Sequence, residues 1–238
     1  MASGVHGDVL DGLGRRIAAG EPAPGSVLTL AQLESEARAS RTVVREAVRV
    51  LESLGMLVSR RRVGITVQPR DHWDALAPAL IRWNLAGPYR QQQLEALMEL
   101  RVAVEPTAAR LAARRATPAQ RDELRRLAER LRDLGVGGRA DAEAFMETDV
   151  DFHRVLLRAS GNPQLAALEA PVAEELRGRT RLGLHPSVPA PGTLDQHLAV
   201  ALAVAAGDAD AAERHSRAHL HGVWNEISAD AGVRELRA

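Results

Sequence analysis

Apolar positions recur at helical spacing along most of the chain, and the main departures fall between residues 21 and 67. Val9, Leu10, Leu13 and Ile17 predict a first amphipathic helix, preceded by a frayed 1–8 and ended by Gly20. Two prolines and a glycine make 21–26 a turn-rich connection. Residues 27–29 read as a short strand or a lead-in to a second helix over about 30–39, with Leu30, Leu33 and Ala37 inward. The stretch 40–55 is the most strongly patterned. Val44, Val48, Leu51 and Leu54 form one buried stripe, Ser40 suits the N-cap, and Gly55 suits the position just past the C-terminus. Two strands, 56–58 and 65–67, then flank a hairpin whose tip carries Arg60, Arg61 and Arg62.

From residue 71 onward the pattern is helix after helix. A linking helix is expected over 72–83, followed by the Gly87-Pro88 break. Leu94, Leu97, Leu100, Val104, Ala108 and Leu111 define a long helix to about Arg115. Thr117-Pro118 starts the next, which continues through Leu124, Leu127, Leu131 and Leu134 to the glycines at 135–138. Further helices are expected over about 140–159, 164–181, 194–206 and 208–229, with a Pro/Gly-rich loop at 185–192. The fold class is therefore mainly α. An N-terminal helix-turn-helix with a small β-hairpin wing occupies 1–70, and an all-α bundle of six or seven helices occupies 71–238.

Composition narrows the function. The 238 residues carry 31 basic and 31 acidic side chains, and every basic one is arginine. Residues 1–70 hold ten arginines against seven acids, so the basic excess lies with the helix-turn-helix, where a DNA partner would want it. Arg41, Thr42, Arg45 and Arg49 gather on the first turns and outer face of their helix, which suits phosphates and guanine edges in a major groove. With no cysteine, disulfides and thiolate metal sites are excluded. The longest apolar run, 198–206, is far short of the roughly 20 residues that span a bilayer, and no signal segment is evident, so a soluble cytoplasmic protein with no membrane partner is expected.

A second constellation lies in the bundle. Asp149 and His153 are one turn apart on one helix face. His197 and His219 flank Gly207 by 10 and 12 residues. At about 1.5 Å per residue each sits roughly 15–18 Å from that turn, so an antiparallel hairpin brings them level. One carboxylate and three imidazoles suit a divalent metal such as zinc, nickel or manganese, with coordination positions left open.

The segment GEPAPGSVLTLAQLESEARASRTVVREAVRVLESLGMLVSRRRVGITV resembles the DNA-binding domain of the GntR family of bacterial transcription regulators. The resemblance implies DNA contacts from Arg41, Thr42, Arg45 and Arg49, with Arg61 and Gly64 in the wing. Ala31 stands where the family usually has an arginine, and Arg38 is the candidate substitute. ELRVAVEPTAARLAA, DVDFHRVLLRASGNPQL and DQHLAVALAVAAGDADAAERHSRAHL resemble the FCD ligand-sensing domain of the FadR subgroup, and the likeness covers essentially all of 71–238. Its metal-binding branch, which includes regulators of sugar-acid catabolism, implies that Asp149, His153, His197 and His219 hold a metal ion, zinc first, at the floor of an effector pocket. Gln196 replaces a frequent glutamate before the histidine. The effector implied is a small organic acid or sugar acid, with Arg101 as its guanidinium partner and Thr193 as a hydroxyl contact. Arg101 has an alternative, pairing with Glu105 four residues on. The expected protein is a homodimeric repressor of an inverted-repeat operator. Two rivals are a metal-dependent hydrolase-like enzyme and a DNA-binding protein whose metal is purely structural.

Overall fold

A computed structural model describes residues 5–135, 142–183 and 192–231, in two compact units, Met1–Gln93 and Leu94–Ala238. In the first, helix α1 (Val5–Ala18) starts inside the stretch expected to fray, with Asp8 in its first turn complementing the helix dipole. The strand-or-helix ambiguity at 27–29 resolves as both. Strand β1 (Val27–Leu28) ends at Thr29, which caps helix α2 (Leu30–Ala37) through a reciprocal pair with Gln32 at 3.2 and 2.8 Å. Ala37, expected inward, is exposed, because it is the last residue before left-handed Arg38 (φ 48°) turns the chain.

Helix α3 (Arg41–Ser53) buries Val44, Ala47, Val48 and Leu51, while Leu54 is half-buried at its C-cap. Ser40 occupies the N-cap without a capping hydrogen bond from its hydroxyl. Gly55 takes the left-handed conformation (φ 72°), and a Cβ there would lie 2.2 Å from the His72 carbonyl oxygen. Strands β2 (Leu57–Arg60) and β3 (Gly64–Val67) form the wing, in an antiparallel sheet of order β1-β3-β2 with Arg60 opposite Gly64.

The expected helix over 72–83 is divided. A 3-10 turn at Arg70–His72 is followed by a loop in which Asp74 accepts from the Leu76 and Ala77 amides, and α4 (Pro78–Leu85) starts at a proline. Arg70 ties this segment to α1. It donates to the Ala18 carbonyl at 2.8 Å and to Asn84 Oδ1 at 2.9 Å, and its guanidinium lies over the rings of Trp73 and Tyr89.

The second unit contains most of α5 (Arg90–Arg115), then α6 (Pro118–Gly135), α7 (Ala142–Ala159), α8 (Pro163–Ala166), α9 (Glu169–Arg181), α10 (Thr193–Ala206) and α11 (Ala209–Ala231). The single helix expected over 164–181 is split at 167–168. Pro171 has no N–H to donate to the Ala167 carbonyl, so α9 is a new start. The breaks expected at 136–138 and 185–191 lie outside the described residues. Helix α10 packs on α11 and α6, and α7 packs on α6 and α9. Buried alanines at 109, 112 and 113 let α5 meet a core that includes Leu124, Leu131, Phe152 and Val204. Arg121 donates to the carbonyls of Ala113, Ala116 and Ala205, closing the ends of α5 and α10.

Gly14 gives a test with a counterintuitive sign. Alanine is the better helix former by about 1 kcal/mol, yet a Cβ at Gly14 would lie 2.4–2.6 Å from the Trp83 ring. That ring is buried and held by a 2.9 Å hydrogen bond to Asp11 Oδ1, so it cannot step aside freely. Gly14→Ala should destabilise the first unit by about 1–3 kcal/mol. Gly12→Ala, where nothing lies within 4 Å, should be neutral or stabilising. Urea unfolding of both variants checks the pair.

Candidate DNA interface and metal centre

Arg41, Thr42, Arg45 and Arg49 are all exposed on α3, as the buried stripe opposite them requires. Two carry acidic neighbours: Arg49 Nη1 lies 2.6 Å from Glu46 Oε1, and Arg41 Nε lies 3.7 Å from Glu34. An open groove of about 460 Å³ runs between α3 and the wing, with Arg45, Arg49, Arg60 and Gly64 in its walls. Arg61 is exposed at the hairpin tip, followed by Arg62 in the left-handed conformation (φ 65°). Gly64 packs so closely on β1 that a Cβ would lie 2.8 Å from the Leu28 carbonyl oxygen. Ala31 and Arg38 are exposed at opposite ends of α2.

In the second unit, five helices deliver polar side chains to one buried cluster. Helix α7 supplies Asp149 and His153, α10 supplies His197 and α11 supplies His219; all four are at most 5% exposed. Gly207 (φ 75°) makes the turn between α10 and α11, and Asp208 caps α11 by accepting from the Ala211 amide at 2.9 Å. This hairpin places the His197 and His219 rings 4.0 Å apart. One nitrogen from each of His153, His197 and His219 lies within 4.8 Å of the others. Asp149 Oδ1 is 3.1 Å from His197 Nε2 and 3.4 Å from His153 Nε2. Ligands about 2.1 Å from a common tetrahedral or octahedral centre stand roughly 3.0–3.4 Å apart, so Asp149 Oδ1 stands at ligand-like distance from each of these two ring nitrogens. His197 Nδ1 and His219 Nδ1 are buried without hydrogen-bond partners, which leaves both rings with unused capacity. The residues present fit a divalent metal ion.

Behind the histidines lies an ionic layer. Glu105 Oε2 is 2.7 Å from His153 Nδ1, a carboxylate–histidine arrangement that orients the ring. Arg101 is fully buried. Its Nε donates to Glu105 at 2.5 Å, its Nη1 donates to Glu175 on α9 at 2.6 Å, and its Nη2 lies 3.2 Å from His153 Nε2. The structure thus realises the Glu105 pairing of Arg101 and adds a second carboxylate to it. Burial opposes the charged form of each member, but the partners outweigh it. Glu105 is held down at about 2 by Arg101 and His153, Glu105 raises His153 to about 9, and hydrogen bonds from His153 and His197 hold Asp149 well below the carboxylate range. His219 falls well below the usual histidine value, first through burial and then through the neighbouring rings. Thr193 opens α10 one turn before His197, and its side chain falls outside the described residues.

Glu175 and buried Arg179, also on α9, escaped the sequence reading. Their spacing in Glu-Glu-Leu-Arg-Gly-Arg-Thr-Arg is that of an ordinary solvated i,i+4 pair. Only their burial distinguishes them.

The FCD domain profile matches residues 96–222, and the profile of the bacterial regulatory proteins of the gntR family matches residues 6–67. The chain is 34% identical to the galactonate operon transcriptional repressor of Escherichia coli K12, over 85% of this chain and 87% of that protein. It is 28% identical to the transcriptional repressor NanR of Cronobacter sakazakii, over 90% of this chain and 81% of the relative. The solved structure of E. coli McbR/YncC matches with a TM-score of 0.55 at 20% identity, over 96% of this chain and 99% of that one, a likeness of fold alone.

The contact between Glu105 and His153 predicts that Glu105→Gln lowers zinc affinity by about 10–100-fold, because the ring loses the charge that orients it. Competition against a chromophoric chelator measures this, with circular dichroism as the check on folding.

Proposed function

The chain belongs to the GntR family of bacterial regulators and carries an FCD domain, and on that premise we propose that it is a homodimeric repressor released from its operator by a small carboxylate. That the chain is a transcription regulator and not an enzyme follows from its relatives, so the hydrolase reading is set aside. The proposal rests on one observation: His153, His197 and His219 bring one nitrogen each within 4.8 Å of one another in a buried cluster of the FCD domain, with Asp149 Oδ1 at 3.1 and 3.4 Å from two of the rings.

Those four side chains would hold a divalent metal, zinc first, with nickel or manganese as alternatives. Such a metal offers an open Lewis-acid position for a carboxylate oxygen. Asp149 supplies charge, and Glu105 orients His153. Arg101 spans Glu105 and Glu175 and keeps only Nη2 turned to the histidines, so its share in the effector would come through that nitrogen. Thr193 would add a hydroxyl contact.

At the DNA, Arg41, Thr42, Arg45 and Arg49 would enter the major groove, with Arg38 beside them and Arg61 and Gly64 of the wing at the backbone or minor groove. One winged helix reads a half-site, so two copies would read an inverted repeat. Regulation is linkage: an acid that binds better to the form unable to dock on the operator lowers DNA affinity by its differential affinity, typically about 1–3 kcal/mol. No described helix is long and apolar enough to cross a membrane, and a cytoplasmic location is proposed from the DNA partner.

The decisive experiment is fluorescence anisotropy of the zinc-loaded chain on its own upstream DNA, with short carboxylates and sugar acids added in turn. One acid should release the complex, and His197→Ala should abolish that response while leaving operator binding intact. Release by no acid, together with loss of folding on chelation, would make the metal structural. In the same assay Arg45→Ala should cost about 1–3 kcal/mol of operator affinity. Arg61→Ala should lower the slope of log affinity against log salt by about 1.

A further inference from the structure

The wing is held mainly at its base and along β3. Ile65 and Val67 of β3 are buried, whereas on β2 only Leu57 is buried, Val58 is half-buried, and Ser59 and Arg60 are exposed. β2 is also an edge strand, so one side of it has no strand to bond. Gln68 donates to the Met56 carbonyl at 2.9 Å, which makes those two residues a hydrogen-bonded pair. In the observed register such pairs recur at Val58–Thr66 and Arg60–Gly64. Ser59, opposite Ile65, falls between them, so its amide points away from β3. There it meets the recognition helix: Ser59 N–H donates to Glu52 Oε1 at 2.7 Å. The other side-chain hydrogen bonds of α3, Arg49 to Glu46 and Ser53 to the Val50 carbonyl, stay within the helix.

The place of Glu52 is otherwise unfavourable. It stands in the wall of the open groove between α3 and the wing, with Arg45, Arg49 and Arg60. A carboxylate facing phosphates weakens DNA binding by repulsion, so electrostatics alone favours a neutral or basic residue there. The geometry supplies the compensation. A helix in the major groove and a wing beside it are two linked contacts, and the second adds affinity only where both can engage at once. The Glu52 bond enters β2 one residue before Arg60 and two before Arg61, where burial no longer fixes the outer strand.

We propose that Glu52 is a positioning residue for operator recognition: through the Ser59 amide it holds the wing at a fixed angle to α3, so that both engage one half-site together. This rests on the reading of α3 and the wing as the DNA contacts. Glu52 touches no DNA in this role and acts only through the wing.

The test is fluorescence anisotropy of the full-length protein on its own upstream duplex and on a scrambled duplex of the same composition. Removing a negative charge from a DNA-facing groove should by electrostatics tighten binding, whereas loss of positioning weakens it, so the two accounts differ in sign. Glu52→Ala should bind the upstream duplex about ten-fold or more weakly than wild type, with affinity for the scrambled duplex unchanged or higher. Glu52→Gln keeps the acceptor without the charge and should restore wild-type affinity or exceed it. The factor lost on Arg61→Ala should be smaller by about two-fold or more in the Glu52→Ala background, since an unpositioned wing has less to lose. Upstream binding by Glu52→Ala as tight as wild type overturns the proposal, and so does an equal Arg61→Ala factor in both backgrounds. Glu52→Gln as weak as Glu52→Ala also overturns it, because the carboxylate would then be a DNA contact itself. Should Glu52→Ala not fold, Glu52→Asp decides: it keeps the charge but is too short to reach Ser59, and wild-type affinity in it overturns the assignment. If the wild type fails to distinguish the two duplexes, the operator reading itself fails and this inference falls with it.

Discussion

Charge held in a buried helical interior is the constraint on which the second unit turns. Asp149, Glu105 and Glu175 are carboxylates at or near zero exposure, and Arg101 runs between two of them. Removing one partner of such a buried pair typically costs about 3–5 kcal/mol, because the remaining charge is left uncompensated. The groups must therefore arrive together, and that requirement joins five helices that are far apart along the chain. Helix α5 brings Arg101 and Glu105, α7 brings Asp149 and His153, α9 brings Glu175, and the α10–α11 hairpin brings the remaining histidines. A purely apolar seam would have been simpler to stabilise. Instead the interior retains three carboxylates and two guanidiniums, with His197 Nδ1, His219 Nδ1 and Glu175 Oε1 among the atoms that have no hydrogen-bond partner.

The first unit solves the opposite problem. Arg41, Arg45 and Arg49 stay in water, on the outer face of a short helix anchored by Val44, Val48 and Leu51. Surface pairs such as Arg49 with Glu46 contribute little to stability. They do keep a dense group of guanidiniums from repelling one another, and they can be exchanged for phosphates at small cost. Rigidity comes from elsewhere: the clamp of Arg70 on α1 and α4, the fit of Gly14 against Trp83, and the antiparallel register of the wing. An exposed, exchangeable face on a firmly packed support suits nucleic-acid recognition.

The parts legible in the sequence were those carried by local periodicity and chain punctuation. The recognition helix declared itself by a stripe every three or four residues and by Gly55, and the wing by two short strands around a basic turn. The four metal-ligand candidates were accessible because two lie one turn apart and two sit at matched distances from Gly207, so helical geometry alone brings them level. Where local reading failed, a backbone detail intervened. Asp74 diverted the chain before Pro78, and Pro171 forced a fresh start at α9.

By itself, then, the sequence determined the helical class, the winged unit with its outward arginines, and which histidines and aspartate could meet, because each depends on spacing within one element or across one turn. The tertiary structure alone decided the company those residues keep. That Arg101 pairs with both Glu105 and Glu175, and that Arg179 is buried beside Glu175, follow from α9 packing on α7 and from contacts more than seventy residues apart in the chain. An i,i+4 pair looks the same in sequence whether water or a protein interior surrounds it. Its energetics differ many-fold between the two, and only the packing of one helix on another settles which applies.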